Sequence, residues 1–320
     1  MNFFDFCSGI GGGRLGLEIA GMRCIGHSEI DPNADATYRK FFNDDNNFGD
    51  LTKIIPENLP NMDVLIAGFP CQTFSIVGKR RGFSDVRGQI IYYLADILKK
   101  KQPSYFILEN VKGLVNHDHG RTIKTILDLL DSVGYVVNFK VLNSCDFGVP
   151  QMRERVYFVG IRRDLYTNPF VFPDKPKHVK IADFLDENND DELSIQDSTF
   201  QRYLNNKYNR GRVDINKIIS TDFNVLDTRQ SDLRIYDICP TLRTGRHGIL
   251  YTRNKKLIKL SGIESLLIQG FTKDFLPKVL GISNKKLLSQ TGNAMTVNVI
   301  AEIGRALICY DKHGGVDDTE

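Results

Sequence analysis

Across residues 1–165 short apolar runs alternate with amphipathic stretches, and no other feature of the chain narrows its fold as far. Runs at 2–6, 23–28, 63–67, 105–108, 135–142 and 156–161 read as strands, and 15–20, 34–42, 90–100 and 123–132 carry apolar residues at helical spacing. That alternation predicts an α/β fold, a Rossmann-like, mostly parallel sheet with helices on both faces. The pattern stops near residue 168, where Pro169, Pro173 and Pro176 punctuate the chain. Residues 183–197 hold seven Asp or Glu and no Lys or Arg, whereas 202–256 hold twelve Lys or Arg against five Asp, a net of +7. The second stretch reads as a smaller, irregular domain with β-like pieces such as 248–251. Its charge is either a solvated face or a footprint for nucleic acid. Helical spacing returns at 298–310.

The chain has 320 residues, enough for one large or two moderate domains. No apolar run approaches membrane-spanning length, and the start lacks the basic region and cleavage site of a signal peptide. A cytoplasmic protein with no membrane partner is therefore expected. Six cysteines, none spaced C-x-x-C, are too sparse for a disulfide framework or a zinc site. The expectation is a reducing interior and no metal.

Asp5-Phe6-Cys7-Ser8-Gly9-Ile10-Gly11-Gly12-Gly13 follows the first strand and precedes a helix. Glycines there let the backbone turn sharply and approach a ligand, and the next helix offers free N–H groups. Glu29 ends the second strand 20 residues after Gly9, where a carboxylate can bind ribose hydroxyls. Asp50 follows the next helix and can accept from an adenine amine. As structural features these acids are caps or surface charges. As a set with the glycine turn they predict a nucleoside cofactor, NAD or S-adenosylmethionine.

Gly68-Phe69-Pro70-Cys71-Gln72 ends the third strand, and Cys71 opens a loop bearing Lys79, Arg80, Arg81 and Arg87. A thiol heading a basic loop suggests a nucleophile beside an anion; the alternative is a small buried hydrophobe. Glu109 ends the fourth strand in Phe106-Ile107-Leu108-Glu109-Asn110-Val111. Ligands of open parallel sheets bind at the carboxyl ends of strands, which puts Cys71 and Glu109 together. Gln151-Met152-Arg153-Glu154-Arg155 brings two guanidinium groups toward the same site, where an ion pair with Glu109 is the structural alternative.

These motifs, with Gln269-Gly270-Phe271 and Gln290-Thr291-Gly292-Asn293, stand in the order and near the spacing of one family. The chain resembles a DNA (cytosine-5) methyltransferase of the bacterial restriction–modification type, over nearly its whole length except about 173–258. The resemblance implies S-adenosylmethionine as cofactor and double-stranded DNA as partner. It also implies, where one exists, a restriction endonuclease acting on the same site, and a monomer is the expected state. It implies a catalytic and cofactor-binding domain at 1–172, target recognition at 173–258, a hinge at 259–292, and a C-terminal helix at 293–320 returning to the first domain. Cys71 thiolate would add to C6 of a flipped-out cytosine and make C5 enamine-like. C5 then takes the methyl, and loss of its proton and of the thiol completes the reaction. Glu109, protonated or sharing a proton, would serve N3, and Arg155 with Arg153 would supply positive charge near O2.

Carried over by position, the cofactor shell comprises Cys7, Ser8, Gly9, Ile10, Gly12, Glu29, Ile30, Asp50, Leu51, Pro70, Ile90, Asn293 and Met295. Ser75, Lys79, Arg81 and Arg87 are expected phosphate contacts, and Ile76 or Val77 a wedge into the base stack. Thr241, Arg243 and Arg246 are the expected readers of bases in the major groove. The chain departs from the family pattern in three places. Cys7 stands where an aromatic residue is common, and Ile258 and Leu267 stand where arginines are usual, so the ion pairing near Gln269 must be replaced. The competing readings are a tRNA cytosine-5 methyltransferase, a methylation-inactive DNA-binding protein, and a nicotinamide dehydrogenase.

Overall fold

The computed structural model describes residues 1–70, 90–174, 176–245 and 248–314. The chain divides into two compact units. The first takes Met1–Asn143, Glu154–Lys175 and Met295–Glu320, the second Ser144–Arg153 and Pro176–Ala294. Residues 144–153 thus leave the first unit between two of its strands, and 259–292, expected as a hinge, cluster with the second unit.

In chain order the first unit begins with β1 (Asn2–Phe6), α1 (Gly12–Ile19), β2 (Arg23–Ser28), α2 (Pro32–Phe42) and β3 (Val64–Gly68). There follow α3 (Ile90–Lys101), β4 (Tyr105–Val111), α4 (Gly113–Asn116), α5 (Arg121–Ser132) and β5 (Tyr135–Asn143). The excursion into the second unit holds the short strand β6 (Gln151–Met152), and β7 (Glu154–Arg162) resumes the first. Six strands form one sheet in the order β2-β1-β3-β4-β7-β5. The pairs among the first four are parallel, whereas β7 runs antiparallel to both β4 and β5. No crossover helix joins β5 to β7, so β7 returns against its neighbour as in a wide hairpin.

Strand alternation sorts the core into two layers. Leu65 and Ala67 turn to one face with Phe4, Phe6, Phe106 and Leu108, under apolar residues of α3 and α5. Ile66 turns the other way, its Cδ1 3.1 Å from where a Cβ on Gly13 would lie. That second face is covered by α1 and by the last helix, Val297–His313, which pack on each other. Gly16 permits the close crossing, because a Cβ there would sit 2.6 Å from Ile300 Cβ.

The second unit contains α6 (Ser198–Leu204), α7 (Ile215–Ile219), β8 (Val225–Asp227), β9 (Ile235–Tyr236), β10 (Cys239–Pro240), β11 (Ile249–Arg253) and β12 (Lys256–Lys259). It closes with α8 (Gly262–Ile268) and α9 (Asn284–Asn293), and the last helix of the first unit is then α10. Its sheet is antiparallel, β12-β11-β8-β9, and a two-residue parallel pair joins β10 to β6. Its small cores gather Val225, Tyr251, Ile258 and Ile268 on one side and Phe200, Leu226, Leu250 and Leu257 on the other. No described helix is long and apolar enough to cross a membrane.

Candidate active site

The turn after β1 is built from left-handed residues, Cys7 at φ 51°, Gly9 at 57° and Gly11 at 86°. A non-glycine residue at such an angle is uncommon. Ser8 N–H donates to Ser28 O at 3.1 Å and Gly11 N–H to Ser8 O at 2.9 Å, which ties the turn to the end of β2. Gly12 cannot be larger, since a Cβ there would lie 2.3 Å from Met295 O. Gly9 N–H donates to Glu29 Oε2 at 2.7 Å, and Asp31 N–H donates to the other oxygen at 2.7 Å. Burial pushes the Glu29 carboxyl above its ordinary range. Asp50 caps the turn Leu51–Lys53 by accepting from Thr52 N–H and hydroxyl at 2.9 and 2.8 Å. Burial opposes its charge, but those bonds hold its carboxyl below the usual value.

Ile10, Leu51 and Met295 are buried beneath this surface, while Ile30 is 71% exposed. Met295 fills the space between two segments, its Cε 3.2 Å from where a Cβ on either Gly13 or Gly68 would stand. Pro70 is exposed, Ile90 is the half-buried first residue of α3, and Asn293 ends α9 in the second unit. Cys7 packs on the core with its thiol pushed up to about 12 by burial. Cys24 is raised to about 11 and Cys239 is raised further, again by burial first. None of these three is an activated thiol.

Asp5, below the turn, was not singled out from the sequence as a site residue. It is fully buried, and burial raises its carboxyl to about 8 against the opposing effects of Arg14's charge and backbone N–H. Its only sequence signal was an acid inside an otherwise apolar strand.

Gly68 pairs with Glu109, so the end of β3 that leads into Cys71 lies beside that carboxylate. Glu109 is 8% exposed. Its Oε1 is 3.2 Å from Arg155 Nε, and its Oε2 is 3.7 Å from where a Cβ on Gly68 would lie. Arg155 sits in β7 opposite Val111, and its Nη1 also donates to Glu154 O at 2.8 Å. Asn110 Nδ2 donates to Phe69 O at 2.9 Å while its Oδ1 accepts from Val111 N–H at 2.8 Å. The backbone two residues before Cys71 is thereby fastened to the end of β4. In the sequence, the one signal for Asn110 is its place beside Glu109. Cys71 itself, Ser75, Ile76, Val77, Lys79, Arg81, Arg87 and Arg246 lie outside the described residues.

Arg153 and Arg155, two residues apart, are held by different partners. Arg153 precedes β7, at the point where the chain changes units, and is 3% exposed. Its Nη1 donates to Leu242 O at 3.0 Å and Gly292 O at 3.3 Å, and its Nη2 to Ala294 O at 3.0 Å. The guanidinium is thus taken up by carbonyls of its own unit, and Arg155 is the arginine on Glu109. Gln151 works with Arg153. Its Oε1 accepts from Leu242 N–H at 3.1 Å and its Nε2 donates to Gln269 Oε1 at 2.5 Å. Thr241 hydroxyl is engaged with Met152 O at 2.6 Å. Together these bonds fasten the base of the segment that presents exposed Arg243 before Gly245, itself at φ 67°.

Glu264, fully buried, accepts from Tyr251 hydroxyl and Asn189 Nδ2, both at 2.8 Å, and from the N–H groups of Asp186 at 3.0 Å and Ser261 at 2.7 Å. All four donors are neutral, and Ile258 packs into the core.

The residues at the turn fit a nucleoside cofactor. Among the described residues, nothing lies within 4 Å of where a Cβ on Gly9 would stand. The buried Ser8 hydroxyl has no hydrogen-bond partner among the described residues, and the Glu29 carboxylate lies at the end of β2. A mostly parallel sheet with one reversed strand, such a turn, and an Arg–Glu pair at the strand ends define a Rossmann-like transferase with a second, antiparallel unit. The family model for C-5 cytosine-specific DNA methylases matches residues 1–309, and the chain belongs to that family. Type II methyltransferase M.NgoBI of Neisseria gonorrhoeae is 38% identical over 300 residues, covering 92% of this chain and 89% of that protein. M.DsaV of Dactylococcopsis salina is 35% identical over 315 residues, 97% and 86% of the two chains. M.HpaII of Haemophilus parainfluenzae is 36% identical over 344 residues, 99% and 91% of the two. Among solved structures, the S. pombe Dnmt2 methyltransferase superposes with a TM-score of 0.71 at 17% identity, covering 98% of this chain and 99% of that one. Entamoeba histolytica EhMeth gives 0.70 at 21%, covering 98% of each. The enzyme is a DNA cytosine-5 methyltransferase.

Proposed function

We propose that this enzyme methylates a cytosine flipped out of duplex DNA, using Cys71 as nucleophile and S-adenosylmethionine as cofactor. The observation that carries the reading is Glu109, held between Arg155 and the end of the strand that runs into Cys71. Addition of the thiolate to C6 puts negative charge on the ring, which a proton donor at N3 relieves. Glu109 is that donor, and Arg155 orients it through the contact with Oε1. Once C6 carries sulfur, C5 is enamine-like; after methylation the C5 proton passes to solvent, the C6–S bond breaks to return the thiolate, and N3 gives its proton back to Glu109. When bound, S-adenosylmethionine supplies an electrophilic methyl group. Glu29 would accept from its ribose, Asp50 from its adenine amine, and the turn at Cys7, Ser8 and Gly9 would lie against it, backed by Ile10, Gly12, Leu51 and Met295, with Ile30, Pro70 and Ile90 completing the shell.

The second unit is the target-recognition part, with Arg243 and Arg246 as its base readers and Ser75, Lys79, Arg81 and Arg87 of the catalytic loop on phosphates. A monomer inside a prokaryotic cell, protecting DNA from a restriction endonuclease of the same specificity, fits this reading. Tritiated methyl transfer from S-adenosylmethionine to a duplex of broad sequence content and to bulk tRNA tests it. Label on C5 of DNA cytosine is expected, with Glu109→Gln slower by about 10²-fold or more. Label confined to tRNA would overturn it in favour of the RNA reading.

A further inference from the structure

We infer that Asn47 is a positioning residue that sets Glu29 and Asp50 in one register for the cofactor; this rests on the reading of those two carboxylates as adenosyl acceptors. β2 is the edge strand of the sheet, so its outer N–H and C=O groups need cover. The segment before Asp50 supplies it. Asn47 bridges His27 in the parallel sense, Phe48 N–H donates to His27 O at 2.8 Å, and Ser28 hydroxyl donates to Gly49 O at 2.6 Å.

Beyond Ser28 the backbone ladder ends and a side chain continues it. Asn47 Nδ2 donates to Glu29 O at 3.0 Å, and Asn47 Oδ1 accepts from Glu29 N–H at 3.1 Å. The same Oδ1 accepts from Gly49 N–H at 2.8 Å, one residue before Asp50. One amide therefore satisfies both backbone groups of Glu29 and fixes the turn that carries Asp50. The arrangement needs a donor and an acceptor on one planar group, which asparagine has and aspartate lacks. These bonds all go to backbone, so Asn47 acts through the two carboxylates.

Calorimetric binding of S-adenosylhomocysteine to the full chain tests the inference, comparing wild type, Asn47→Ala, Asn47→Asp and Glu29→Ala. Cofactor-free DNA affinity and the melting temperature are measured alongside. Asn47→Ala should raise the Kd for S-adenosylhomocysteine by about tenfold or more. Its DNA Kd should stay within about twofold, and KM for S-adenosylmethionine should rise while kcat at saturation holds. Asn47→Asp keeps the acceptor and loses the donor, so its Kd should fall between; should the alanine variant not fold, this variant decides alone. Wild-type affinity in the Asn47 variants beside a weakened Glu29→Ala would overturn the inference and leave the site reading standing. Parallel losses of DNA binding, cofactor binding and melting temperature would also overturn it, as a general structural role. Unchanged binding by Glu29→Ala would remove the adenosyl reading itself and the inference with it.

Discussion

Replacing Arg153 by lysine separates the two arginines that stand together in the sequence. The planar guanidinium spans three carbonyls, Leu242 O, Gly292 O and Ala294 O, from a buried position. A lysine ammonium is a compact point donor; in the place of Nη1 it can keep Leu242 O and Gly292 O, while Ala294 O loses its bond to the charged group and keeps only the one from Gln269 Nε2. Bonds to a charged group contribute about 1.5–3 kcal/mol each, so the lost bond costs the second unit about that much. That is a large share of the roughly 5–15 kcal/mol that holds a typical domain folded. The chain has no tryptophan, so far-UV circular dichroism in urea is the suitable probe. At an m-value of about 3 kcal/mol/M, the midpoint of the affected transition should fall by about 0.5–1 M. Single-turnover methylation by the folded variant should fall by less than about tenfold. An unchanged midpoint with a rate loss of about 10³-fold or more would refute the scaffold role and make Arg153 a catalytic cation.

Two other sites carry separate expectations. Asn110→Ala frees Phe69 O and should lower the single-turnover rate by about 10- to 100-fold through misplacement of the segment before Cys71, leaving cofactor affinity unchanged; an unaltered rate in rapid-quench assays would show that the tether does not matter. Asp5 has a folded carboxyl at about 8 against an ordinary 3.8, so between those values the folded state holds a proton that the unfolded state has released. Stability should therefore fall as pH rises through that window, by about 1.4 kcal/mol per pH unit, and level off above it. Asp5→Asn should lose this slope, and parallel urea midpoints for the two proteins from pH 6 to pH 8 would contradict the assignment.

The sheet was legible because its strands are short apolar runs such as Val64 to Ala67, and burial on both faces enforces that pattern. The reversal of β7 was not legible, since periodicity carries no direction. β4 runs on to Val111, three residues past the expected end at 108, because Glu109 and Asn110 are polar yet stay in the ladder. Their side chains are met by Arg155 and by Phe69 O, partners distant in sequence. α1 starts at Gly12 where residue 15 was expected. Glycine disfavours a helix, but the close approach of Met295 admits nothing larger there. The glycine turn, Glu29 and Asp50 stand out in the sequence as a spaced set. Asn47, a single polar residue in a polar stretch, carries no such signal, and its role depends on β2 being an edge strand. Arg153 and Arg155 look equivalent two residues apart, and only the change of unit between them separates their roles.

The central claim is that Cys71 adds to the target base beside Glu109. Incubation with S-adenosylmethionine and a duplex carrying 5-fluorocytosine at every cytosine, followed by a denaturing gel, tests it most directly. Fluorine at C5 cannot leave as a proton does, so the C6–S bond should persist. A cofactor-dependent covalent band that disappears in Cys71→Ser is expected. A band that survives in Cys71→Ser, or none from folded, cofactor-binding wild-type protein, would contradict it.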